Sequence, residues 1–485
     1  MHFQGTRSSE KSYFIQKSCN DCISLAAITR ENTGFEPKIP IKPRHIAWVS
    51  LGGSMLNISR KTRVSTALAA GASASVLLSV VATTAMAAPA PAPKATTATN
   101  ASCPATPGVT PTTISLGMID SVTGPASTTF LGSKEAAQLR VDQENAKGGV
   151  NGRKIKLTIY DDATSAAQQV SAVQKAIGDG VFGLTTTTST VSMYPTLKDA
   201  GIPITGFSNA PFGTDINAFG DAGATTASIP TYAPTLVLEK MKQEGATKIA
   251  IINHATASAT ASQTALANLA PLVGITVGLR IADSPPGTHD ATSEALRIKN
   301  AGVDSVNYSG YIDGAISLAL ALKQQGVTLK SFAVAGLSDP ATLKSANGAL
   351  DGALGQTYGT VPVGVNVRSV KTFAGAMKAA GLNPYLPAAP LGYVGADLFI
   401  KGLKVAGKCP TRASFISELR KVSSYDGAGM LPGKVSFVPN GIMPNGNPIT
   451  CGWYTKAKGA ELIPDAKATC GGKYIDTTTG KVIYG

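Results

Sequence analysis

Glu144-Asn145-Ala146-Lys147-Gly148-Gly149-Val150-Asn151-Gly152-Arg153-Lys154-Ile155 joins two runs of different periodicity. Residues 133–145 ahead of it carry helical spacing, and residues 154–160 after it alternate apolar and polar positions as a strand does. The glycine-rich turn between them is short, as a helix-to-strand connection in a βαβ unit requires. Working outward, residues 113–119 read as a β-rich run, 165–177 as an amphipathic helix, 181–184 as a strand and 193–200 as a helix. The alternation restarts with strands at 248–253, 275–281, 305–308 and 331–334 and helices at 257–272, 292–301 and 315–325. Strands alternating with helices predict parallel sheets covered on both faces. The fold class is therefore α/β: two doubly wound lobes, 112–225 and 226–361, with residues 215–229 as a crossing strand or hinge. Residues 362–485 read as helices at 368–380, 391–405 and 414–422, then short strands near 434–438 and 451–454. That tail is too helix-rich for a third sheet domain and is expected to complete both lobes.

Composition narrows the class further. Among 485 residues, 43% are apolar and 15% charged. That is enough apolar material to bury sizeable cores and too much for a disordered chain. Only residues 66–88 approach the roughly 20 apolar positions needed to span a bilayer, and they are rich in Ala, Ser and Thr. Arg60, Lys61 and Arg63, the apolar run 64–82 and Ala85-Met86-Ala87 have the layout of a secretory signal peptide, residues 55–87, cut before Ala88. Residues 1–54 do not fit that layout and are read as lying outside the native product, with translation starting at Met55. Residues 88–111, rich in Pro, Ala and Thr, read as a leader. Without residues 1–87 the chain keeps 33 Lys and Arg against 25 Asp and Glu, a balance of +8. Those basic residues are scattered and not interleaved with aromatics, so nucleic acid is not an expected partner.

Cys19 and Cys22 form an isolated pair, weak as a metal or redox motif. Cys103, Cys409, Cys451 and Cys470 remain in the exported part; an even count outside the cytoplasm suggests two disulfides, and spacing leaves all three pairings open.

In doubly wound sheets ligands bind beyond the carboxyl ends of the strands. Those loops are 120–127, 185–190 and 207–210 in the first lobe and 253–258, 309–314 and 335–340 in the second. The first-lobe loops are rich in hydroxyls: Ser121, Thr123, Thr186, Thr187, Thr188, Ser208 and Asn209 offer donors to a carboxylate. Asp313 and Asp339 stand opposite, suited to an ammonium group or to capping their own helices. His254, Tyr308, Tyr311 and Ser338 complete the candidate set. Only His254 and His289 remain in the lobes, unlike a metal pair, and no nucleophile elbow or phosphate-loop motif occurs. The expectation is a binding protein without cofactor or metal, not an enzyme.

The ordered set Val109-Thr110-Pro111-Thr112-Thr113-Ile114-Ser115-Leu116-Gly117, Ser121-Val122-Thr123-Gly124-Pro125, the turn quoted above and Tyr160-Asp161-Asp162 resembles the extracellular solute-binding proteins of ABC importers, of the leucine/isoleucine/valine-binding type. The resemblance covers residues 109–454 and implies a type I periplasmic-binding fold, two Rossmann-like lobes that close on a small ligand. It further implies an exported, cell-envelope or extracellular monomer that hands a carboxylate-bearing ligand to ABC permease subunits. The alternative is a sensor of the same fold that signals to a partner protein. Where family members often have Gly-Pro-x-Ser-Ser this chain has Thr186 to Thr190, and it has His254 where an aromatic is common. Aromatic acids and short amides therefore stand beside branched-chain and other amino acids as expected ligands.

Overall fold

The computed structural model describes residues 103–208, 210–222, 232–441 and 443–485. The expected signal peptide, residues 1–54 with Cys19 and Cys22, most of the leader and Asn209 lie outside the described residues.

The first lobe is built in the order β1 (Thr113–Asp120), α1 (Ser133–Ala146), β2 (Lys154–Asp161), α2 (Ala166–Gly178), β3 (Gly183–Thr187), α3 (Tyr194–Asp199), β4 (Ile204–Gly206) and β5 (Ala218–Gly220). Its five strands are all parallel, in the order β2-β1-β3-β4-β5. β1 lies between β2 and β3, and its Ile114, Leu116, Met118 and Ile119 are buried, as a strand covered on both faces requires. The turn between α1 and β2 holds Gly149 at φ 77°, and a Cβ there would stand 2.0 Å from the Arg153 carbonyl oxygen. Only glycine fits that close return of the chain. Ser165 caps α2, its side chain accepting from the Gln168 N–H.

The second lobe continues through β6 (Tyr232–Pro234), α4 (Leu236–Gln243), β7 (Lys248–Asn253), α5 (Ala257–Leu269), β8 (Thr276–Ile281), α6 (Thr292–Ala301), β9 (Ser305–Ser309), α7 (Ile312–Gln324), β10 (Ser331–Ala335), α8 (Pro340–Ser345) and β11 (Leu354–Gln356). There follow α9 (Arg368–Ala379), α10 (Ala389–Ala406), α11 (Arg412–Leu419), β12 (Cys451–Gly452), β13 (Tyr454–Lys458), β14 (Glu461–Pro464), β15 (Thr469–Cys470), β16 (Tyr474–Asp476) and β17 (Val482–Tyr484). The second sheet runs β14-β13-β11-β10-β9-β7-β8: β8 to β11 are parallel, and β13 and β14 add antiparallel strands at the β11 edge. β6, β16 and β17 make a small antiparallel sheet.

After β11 the chain returns to the first lobe, where Val361, Val365, Val370 and Phe373 join its core with most of α10. α10 packs so closely on α1 that a Cβ on Gly392 would meet the Ser133 carbonyl oxygen at 1.9 Å. Arg140 on α1 bonds Asp397 on α10 at 2.8 Å and Glu144 at 3.1 Å, so the buried charges are paired. The chain crosses again between Ile449, in the first-lobe core, and Tyr454 on β13. Disulfides join Cys103 to Cys409 and Cys451 to Cys470. Residues 103–111, read as leader, are thus tied to the end of α10, and Thr110 also accepts from Arg153 at 2.9 Å.

Three expectations need correction. No strand forms at 434–438; Tyr425 and Val435 make an isolated bridge, and Pro432, Gly433 and Pro439 around the run remove donors and rigidity a strand needs. The strand expected at 181–184 lies at Gly183–Thr187, so Thr185, Thr186 and Thr187 belong to β3 rather than to a loop. β-branched threonine fits a pleated strand well, which explains the shift. α7 begins at Ile312, three residues early, placing Asp313 in its first turn.

Candidate functional site

The carboxyl ends of both sheets face one another. From the first lobe, β3 delivers Ser189, β4 delivers Phe207 and Ser208, and β5 delivers Asp221 and Ala222. From the second, β7 delivers His254, β9 delivers Ser309, Gly310 and Tyr311, and β11 delivers Gln356 and Tyr358. Between them lies a cavity of about 370 Å³. That size suits a small ligand, and its place matches the strand-end rule for such sheets.

Phe207 lies edge-on to Phe130 at 5.6 Å and to Tyr358 at 5.5 Å, making an aromatic wall that Leu236, Leu266 and Ile449 extend. Polar side chains line it as well, among them Ser208, Asp221, His254, Gln263, Gln356 and Tyr358. Asp221, 1% exposed, accepts through Oδ1 from the Ser208 N–H at 3.1 Å, the Ser208 hydroxyl at 3.0 Å and the Ala222 N–H at 2.8 Å. Burial pushes its carboxyl up to about 7, against the pull of those hydrogen bonds. Burial pushes His254 down to about 4, so its imidazole is neutral at pH 7. Gln263 on α5 lines the same space.

The lobes touch around this cavity. The Tyr311 hydroxyl lies 3.1 Å from Ser189 Oγ, and the Tyr311 ring stacks on His254 with centroids 4.1 Å apart. Thr128 donates to Asp313 Oδ2 at 2.8 Å, and the Ile312 N–H donates to Thr129 Oγ1 at 3.4 Å. Tyr311 also packs with Ala126, Phe130, Ala388 and Leu391. Ser189, His254, Thr256 and Tyr311 line a second interlobe space of about 560 Å³ as well, so they form the partition between two chambers.

Of the residues singled out in the sequence, Ser208, His254, Tyr308 and Tyr311 line the cavity. Ser121, Thr123, Thr186, Thr187, Thr188, Asp313, Ser338 and Asp339 do not. Ser121 donates to Asp162 at 2.8 Å and to Thr188 at 2.9 Å; Thr188 donates to Asp162 at 2.6 Å; Thr186 donates to the Ile119 carbonyl at 3.1 Å. Thr187 is 1% exposed, and Thr123 donates to Asp161 at 2.6 Å. These hydroxyls therefore knit the end of the first sheet together. Asp313 faces Thr128 across the lobes rather than the cavity, Asp339 caps α8 by accepting from the Ala341 N–H, and Ser338 donates to the Gly336 carbonyl at 3.4 Å. The ring of Tyr308 belongs to the second-lobe core. Asn209 lies outside the described residues. Sequence reasoning missed Asp221, Gln263 and Tyr358, whose nearest signal is that Asp221 and Tyr358 follow short strands.

Two facing α/β lobes with a ligand-sized cavity at their strand ends are a type I periplasmic-binding fold. The chain belongs to the periplasmic binding protein family, whose sequence profile matches residues 113–461. It is 31% identical over 205 residues to the Leu/Ile/Val-binding protein BraC3 of Rhizobium johnstonii, covering 41% of this chain and 54% of that protein. It is 24% identical over 366 residues to the leucine-, isoleucine-, valine-, threonine- and alanine-binding protein of Pseudomonas aeruginosa, covering 72% of this chain and 92% of that one. In the best-scoring stretches the chain spans about half the length of the curated relatives it matches, 54% for BraC3. Among solved structures it superposes on a fatty acid ABC transporter substrate-binding protein from Thermomonospora curvata with a TM-score of 0.64 at 18% identity, covering 79% of this chain and 98% of that one. A solute-binding protein from R. palustris in complex with benzoate gives 0.60 at 18% identity, covering 74% and 98%. At such identities these structures speak for the fold alone.

Proposed function

We propose that this chain is an exported solute-binding receptor that captures a small, apolar-bodied ligand with one polar end, of the amino-acid, aromatic-acid or short-amide class, and delivers it to an ABC importer. The observation that carries this reading is the cavity of about 370 Å³ enclosed by strand ends of both lobes. A ligand there touches Phe207 and Ser208 from one side and His254 and Tyr358 from the other. Contacts to both lobes are what make binding favour closure, since a ligand indifferent to the two states shifts nothing. Closed lobes present a surface that open lobes lack, and a permease can read the difference. The names of the relatives, binders of branched-chain amino acids, fatty acid and benzoate, support a cleft whose ligand varies within one fold.

A thermal-shift panel of amino acids, aromatic acids and amides tests capture. A ligand at 100 times its Kd should add about 2.7 kcal/mol to unfolding. A panel in which nothing raises the melting temperature would remove the ground for calling this a receptor. Delivery is tested by whether loaded protein, and not ligand-free protein, stimulates the ATPase of a reconstituted importer.

A further inference from the structure

We infer that the interlobe cavity selects an uncharged ligand that donates hydrogen bonds from its polar end, a primary amide or lactam on an apolar body, over the carboxylate of the same shape. The inference rests on the cavity being the ligand site. Three observations carry it. First, among the described residues, those lining the cavity include Asp221 and no Lys or Arg. A carboxylate placed there would bury its charge beside an acid with no cation to offset it.

Second, the cavity wall holds acceptors that lack donors. Asp221 Oδ1 takes three hydrogen bonds while Oδ2 has no partner, and Gln263 Oε1 has none either. Asp221 is 1% and Gln263 4% exposed, so an acceptor left unmet there is costly. Above pH 7, where Asp221 is ionised, a carboxylate would set acceptor against acceptor, whereas an amide NH₂ brings two donors. Third, His254 has no hydrogen-bond partner at Nδ1 or at Nε2. Kept neutral by burial, its ring carries one N–H and one lone pair, the complement of an amide C=O and N–H. An amino acid would satisfy Asp221 with its ammonium group, yet the strand-end hydroxyls of the first lobe that could serve its carboxylate are already engaged. Those of Ser121, Thr186 and Thr188 are bonded to Asp162, Thr188 and the Ile119 carbonyl instead. Phe207, Tyr358 and Ile449 hold the apolar body.

Matched ligands decide the matter: benzamide against benzoate, isovaleramide against isovalerate, and leucine, measured by calorimetry and thermal shift on the exported chain at pH 7.5. Each amide should bind at least about tenfold more tightly than its acid and than leucine. Gln263→Leu, which leaves the Ser208–Asp221 bonds in place, should weaken the amide about tenfold with the ligand-free melting temperature held. Asp221→Asn should narrow the amide-to-acid ratio. Tighter binding of the acids or of leucine overturns the inference while leaving capture intact, as does an amide affinity that neither variant moves. Silence from every ligand overturns capture itself, and this inference with it.

Discussion

Tyr311→Phe removes one hydroxyl from the seam between the lobes and leaves the aromatic stack on His254, at 4.1 Å, in place. The lost bond is the one to Ser189 Oγ at 3.1 Å. Ser189 follows β3 of the first lobe and Tyr311 precedes α7 of the second, so the bond exists only while the lobes touch. A neutral hydrogen bond contributes about 0.5–1.5 kcal/mol net, and the closed-to-open ratio should fall by about two- to tenfold. Closure is not abolished, because Thr128 still donates to Asp313 at 2.8 Å and the Ile312 N–H still reaches Thr129 at 3.4 Å. Small-angle scattering of the ligand-free chain reads the change as a larger radius of gyration. Ser189→Ala should give the same shift, and the double variant should go no further than either single one, since both delete one bond. Additive shifts, or a Tyr311→Phe profile that overlays the parent, would refute the reasoning.

The folding energetics offer further tests. Asp120, buried at the end of β1 and accepting from Ser133 at 2.8 Å, is pushed up to about 7 chiefly by burial. The native state then holds a proton that the unfolded chain has released between about pH 4 and 7, so this group lowers stability as pH rises through that window, by up to about 1.4 kcal/mol per unit. Denaturant midpoints should show Asp120→Asn gaining on the parent from pH 4 to 7; a constant gap contradicts the burial account. Gly392→Ala should destabilise by about 1–3 kcal/mol, because its Cβ would meet the Ser133 carbonyl oxygen at 1.9 Å, whereas Gly375→Ala in α9 meets nothing within 4 Å and should stabilise by about 0.5–1 kcal/mol. Replacing both cysteines of Cys103–Cys409, 306 residues apart, should cost more than replacing those of Cys451–Cys470, 19 apart, with chain-entropy ceilings of about 6 and about 3 kcal/mol measured by urea unfolding.

The lobes were legible because their signal is local and repeated. The helix at Thr292–Ala301 and the strand at Lys248–Asn253 match their expected bounds residue for residue, since periodicity and flanking polar turns agree there. The site was harder. His254, Tyr311 and Ser208 line the interlobe cavity, as expected of residues at the strand ends of such sheets. Asp221 and Tyr358 were missed because each follows a three-residue strand, β5 and β11, too short to show alternation. Gln263 sits mid-helix, where only the place of α5 beside the interlobe cavity gives it meaning. Threonines 186 to 188 lie off the cavity for a physical reason: a hydroxyl at a strand end serves a ligand or its own sheet equally well, and here Asp162, 0% exposed, takes the bonds of Ser121 and Thr188.

The central claim is that a small molecule is held between the lobes. A crystal structure of the chain grown with the ligand that gives the largest melting shift tests it most directly. Electron density bounded by Phe207 and Ser208 on one side and by His254 and Tyr358 on the other is the predicted result. Density on one lobe alone, or anywhere outside that space, would contradict it.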